Sequence, residues 1–109
     1  MASKNAKIVS LLVRKQDAGK LDWEETETPG EFQVAFTDFA IRISRERTDV
    51  TVRIFDAEGI FLERFTDDDL REEIEDSYNL MTGLYDNARR SALKVNAKLD
   101  DIISELESL

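Results

Sequence analysis

The chain has no cysteine and no histidine among its 109 residues. Without cysteine there is no disulfide framework, no thiol nucleophile and no thiolate metal site. Without histidine it lacks the side chain most used as a general base near neutral pH, and the nitrogen ligand of zinc and copper centres. A serine triad, a cysteine–histidine pair and a helical two-histidine zinc site are therefore excluded. Glycine is scarce: Gly19, Gly30, Gly59 and Gly83 stand far apart, so no glycine-rich loop cradles a phosphate. The longest early apolar run, Ile8-Val9-Ser10-Leu11-Leu12-Val13, is too short for a membrane span, and no signal-peptide cleavage pattern comes after it. The expected compartment is the cytoplasm, with no membrane partner.

What the chain does have is acid. Its net charge is -9, unevenly spread. Residues 1–20 carry Lys4, Lys7, Arg14, Lys15 and Lys20 against Asp17 alone. Residues 21–31 carry only Asp22, Glu24, Glu25, Glu27 and Glu31, and residues 67–109 hold twelve acids against five bases. Such a surface repels nucleic acid and anionic membranes and favours a basic partner, or serves solubility alone. Direct nucleic-acid binding is not expected.

The length suits one domain, residues 1–109, with one core. Ile8, Leu11, Leu12 and Lys15 recur at helical spacing and Gly19 suits a left-handed cap, so a short helix is expected over about 4–18. Glu24 to Glu31, with the only proline, Pro29, reads as a loop. From Glu31 the period becomes two. Phe32, Val34 and Phe36 share one face, then Phe39, Ile41 and Ile43, then Val50, Val52 and Ile54, before a last strand over Ile60 to Phe65. This pattern predicts a four-stranded antiparallel meander over 21–65, five-stranded if Trp23 joins it. Arg42, Thr51, Arg53 and Glu63 are expected on its polar face, and helices cover the other.

The last third carries a heptad-like stripe: Ile74, Tyr78, Met81, Tyr85, Ala88, Ala92, Val95, Leu99, Ile102 and Leu106. Steps of four and three keep these residues on one side of a helix. With Thr66-Asp67-Asp68-Asp69 as its start, the helix runs over 67–107, about 40 residues and roughly 60 Å long if continuous. Gly83 and Asn96 are its weak points, and the alternative is two helices broken near 94–96. The fold class is α+β.

No arrangement of these residues demands catalysis. Asp67, Asp68 and Asp69 resemble a metal-binding run, but Tyr78 stands where a calcium loop needs its glutamate, and a helix start explains all three acids. Glu72, Glu73 and Asp76 could pair on one face, yet nothing nearby in sequence buries them. No enzyme activity, cofactor or metal is expected. Tyr85-Asp86-Asn87-Ala88-Arg89-Arg90 is the densest mixed patch, either a salt-bridged flank or an arginine rim around a tyrosine anchor.

Leu21-Asp22-Trp23, the Phe32 to Phe65 strands, Leu84 to Leu93 and Leu99 to Leu106 together resemble small acidic proteins of bacteria and their mobile elements, a group with no attached activity. As that resemblance implies, relatives often carry glycine where this chain has Lys94, which favours a helix break near Asn96.

The expected function is a non-catalytic interaction module that binds a basic protein partner, or a second copy as a homodimer, along the C-terminal helix. Tyr78, Met81, Tyr85 and Leu99 are the expected anchors, Arg89 and Arg90 the rim, and Asp67, Asp68 and Asp69 the acidic steering residues. The alternative is a phage or mobile-element inhibitor whose acids stand in for the phosphates of DNA.

Overall fold

The computed structural model describes residues 3–109. Helix α1 spans Lys4–Asp17. The Ser3 hydroxyl accepts from the Ala6 N–H at 3.1 Å, satisfying one of the amides that a helix start leaves free. At the other end Gly19 turns left-handed, with φ 71°. The Gly19 N–H then donates to Gln16 and the Lys20 N–H to Lys15, the paired bonds of a Schellman cap.

The alternating stretch folds into five antiparallel strands in sequence order: β1 (Glu24–Glu25), β2 (Glu31–Ala35), β3 (Phe39–Glu46), β4 (Asp49–Asp56) and β5 (Phe61–Thr66). The short β1, which makes the meander five-stranded, sits directly after Trp23. Phe32, Ile43, Val52 and Phe65 pair across four strands and form the central apolar rung. Ala6, Val9 and Leu12 of α1 are buried with it, as are Met81, Leu84 and Ala88 of α2 (Ser77–Ala92). Two helices on one face of one sheet make the α+β architecture.

The opposite face carries a row of Gln33, Arg42, Arg53 and Arg64. Glu63 does not join it. A bulge between Ile54 and Phe55 puts one extra residue in β5, so Phe61 pairs with Phe55 but Glu63 with Ile54. One added residue flips side-chain parity, and Glu63 falls on the helix-covered side, where Asn5 donates to it.

The acidic run does not start the long helix. Thr66 and Asp69 do cap each other reciprocally: the Thr66 N–H donates to Asp69 Oδ2 at 2.9 Å and the Asp69 N–H to Thr66 Oγ1 at 3.3 Å. From this cap the chain makes a single 3₁₀ turn, Asp68–Leu70, then further turns as far as Asp76. Seven acids lie between Asp67 and Asp76, and like charges three or four apart oppose a helix. Leu70 is buried instead and Ile74 packs against the core. Helix α2 begins only at Ser77, whose hydroxyl donates to the Asp67 carbonyl at 2.9 Å.

From Tyr78 onward the C-terminal stripe belongs to two helices. After α2 the chain turns at Lys94, left-handed at φ 54° and ψ 46°, and α3 runs over Val95–Glu107. The molecule measures 56 × 33 × 28 Å.

Candidate interaction surface

The break at Lys94 divides the residues expected to bind a partner. Met81 is fully buried against the sheet. Tyr85 is half-buried, its ring 5.7 Å from that of Phe32, and its hydroxyl donates to the Gly30 carbonyl at 3.0 Å. Gly30 is itself left-handed, and a Cβ there would stand 3.7 Å from the tyrosine hydroxyl. Both anchors hold α2 to the sheet. Tyr78 is exposed and accepts a hydrogen bond from Arg45. Arg89 pairs with Asp86 at 3.4 Å, one helical turn away, and Arg90 reaches across the break to Asn96 at 3.0 Å.

The three acids serve the fold as well. Asp67 is buried and its Oδ1 accepts from the Val50 N–H at 2.7 Å. Asp69 caps Thr66, and Asp68 pairs with Arg71 at 3.0 Å. Only Leu99 and Tyr78 of the expected apolar anchors are open to a partner.

Helix α3 is different. None of its residues is buried. Leu99, Ile102, Ile103 and Leu106 are 45%, 52%, 52% and 63% exposed, and they adjoin one another at helical spacing. The four side chains form a continuous apolar strip on a helix that packs mainly against the end of α2. Lys98 and Glu105 border it, while Asp100, Asp101 and Glu107 fall on the polar side. Of this strip only Leu99 stands among the anchors expected from sequence, because a stripe has no mark showing where cover ends.

Other large apolar side chains are exposed beside two turns at one end of the sheet, where sequence reasoning expects no site. Phe36, Phe39, Ile60, Phe61 and Leu62 are all about half exposed there. Strand alternation places Phe36 and Phe39 in the core, as continuations of β2 and β3. Both lie instead at the hairpin between those strands, and Phe36 falls just beyond β2. The available signal was that five large apolar residues flank two turns.

On the open face, Glu46 accepts from Arg53 and lies 3.5 Å from Arg64. The Arg53 hydrogen bond, opposed by desolvation and aided by the charges of Arg53 and Arg64, holds the Glu46 carboxyl below its usual value. At the α2–α3 joint a cleft of about 540 Å³ is lined by Trp23, Asn87, Arg90, Lys94 and Asn96, among others. Among the described residues, no group of three acidic side chains is placed to hold a metal ion, and no helix is long and apolar enough to cross a membrane. Comparison with protein-family models, with curated proteins and with solved structures finds no match to this chain.

Proposed function

We propose that this chain is a non-catalytic protein-interaction module that binds a protein partner through the apolar strip of α3. The observation that carries the reading is a helix of thirteen residues with four large apolar side chains together and none buried. A lone helix of that length is marginal in water, and most helical stability in proteins comes from packing an amphipathic face. Covering Leu99, Ile102, Ile103 and Leu106 supplies that packing, at roughly 1.5–3 kcal/mol for each side chain fully removed from water. The surrounding acids keep the strip soluble while uncovered.

The test compares the parent chain with an Ile102→Asp, Leu106→Asp variant. Affinity capture from lysate and sedimentation would both be recorded, with a thermal melt as the control for folding. The expected result is a partner, or a mass above the 12.5 kDa monomer, that the variant loses while its melt is unchanged. Associations identical in both chains would sink the proposal.

A further inference from the structure

Resting on that reading of α3, we infer that the occupant of the strip is α3 of a second copy, packed antiparallel. In heptad terms Leu99 and Leu106 take the a positions and Val95 and Ile102 the d positions. An antiparallel pair opposes a with d. Leu99 of each chain then faces Ile102 of the other, and Leu106 faces Val95. Four apolar layers close around a two-fold axis, and every contact occurs twice, as an isologous dimer requires.

Charge favours this arrangement over the alternatives. Lys98 and Glu105 are the charged residues bordering the seam, one heptad apart at g positions. An antiparallel pair brings g opposite g, so Lys98 of each copy meets Glu105 of the other, and both pairs are of opposite sign. A parallel pair opposes g with e, placing Lys98 against Ile103 and Glu105 beyond the last turn of α3, so neither charge is matched. Asp100, Asp101 and Glu107 point away from the seam in either case. The bodies matter too. Each copy carries a net charge of -9, most of it outside α3, and the antiparallel pair sets the two bodies at opposite ends of the joined helices. A parallel pair brings them side by side, where they repel. The pair buries on the order of 1,000 Å² in total, the lower end for a specific complex, so dimers accumulate at high protein concentration and part on dilution.

The experiment is sedimentation equilibrium of the full chain at high micromolar concentration, with charge-reversed variants. Glu105→Lys makes the chain less acidic, so general repulsion alone predicts a tighter dimer. The Lys98–Glu105 pairing predicts one about tenfold weaker, since two attractive contacts become repulsive. Lys98→Glu weakens it similarly, and the double variant K98E/E105K restores the parent affinity. Direction is read independently because the chain has no native cysteine: Val95→Cys with Leu106→Cys yields a disulfide-linked dimer on oxidation, whereas Leu106→Cys alone does not. A monomer at every concentration, a dimer tightened by E105K, or efficient cross-linking by Leu106→Cys alone would overturn the antiparallel pair. A monomer that still captures another protein through α3 would do so while leaving the α3 reading standing; a dimer indifferent to Ile102→Asp, Leu106→Asp would remove both.

Discussion

Helices α2 and α3 carry the two halves of one apolar stripe and meet opposite fates. Along α2 the stripe is met by the sheet: Met81 and Ala88 are fully buried and Tyr85 is tied to Gly30. Along α3 the same steps of four and three place Leu99, Ile102 and Leu106 in water. The break at Lys94 separates them. An amphipathic pattern states that a face needs cover, and it is silent on whether the cover comes from the same chain. The half left uncovered is where a second molecule can add stability, which makes the difference between the helices the basis of the functional reading.

The contrast is sharpest in truncation of the stripe itself. Met81→Ala should cost about 2–5 kcal/mol, because it empties a fully enclosed site, while Ile102→Ala in dilute solution should stay within about 0.5 kcal/mol. Urea unfolding of both variants measures the difference, and equal costs would show that α3 is covered within its own chain. Asp67→Ala attacks the entry to α2 and should cost about 1–3 kcal/mol, since the buried Val50 N–H loses its acceptor. Hydrogen exchange of that variant should show faster exchange at β4 and no change in α3.

The joint gives a smaller effect of opposite sign. Lys94 holds a left-handed conformation that costs a side-chain-bearing residue about 1–2 kcal/mol, so Lys94→Gly should raise stability by about 0.5 kcal/mol after the entropy of glycine is counted. Thermal melting would register a rise of a few degrees, and a fall would mean that the lysine side chain itself secures the bend. Acid provides the smallest effect and touches only the body. The Glu46 carboxyl titrates below its ordinary 4.5 in the folded state, so its stabilising contribution is complete above that pH and lost as the pH falls through the depressed value. Glu46→Gln should therefore be slightly less stable than the parent near neutrality, with the gap closing in acid. A gap that persists at low pH would assign the effect to something other than the Arg53 and Arg64 pairing.

Much of the fold was legible in the residues. The alternation from Phe32 to Phe65 gives the meander, because a half-buried strand must place apolar groups at every second position. Ser3 and Gly19 bracket α1 for reasons confined to one helical turn at each end. Less was legible where distant groups compete for the same residue. Thr66 to Asp69 has the chemistry of a helix start and does cap, but the Asp67 side chain is claimed by Val50, seventeen residues earlier, and the helix waits for Ser77. Glu63 reads as outward until the bulge changes its parity. Of the site, Leu99 is legible as an anchor and Ile102 and Leu106 only as members of a stripe that looks uniform from Ile74 onward, while Ile103 lies beside the steps of four and three and is not read.

The sequence by itself determined the periods, the caps and the acidity of this protein, because each depends on neighbours within a few residues. It also excluded chemistry that needs a thiol or an imidazole. Only the tertiary structure decided which apolar residues are enclosed. Enclosure depends on where the chain bends and how far the sheet extends: the sheet's cover reaches α2, the chain turns at Lys94, and α3 is left with its apolar strip in solvent.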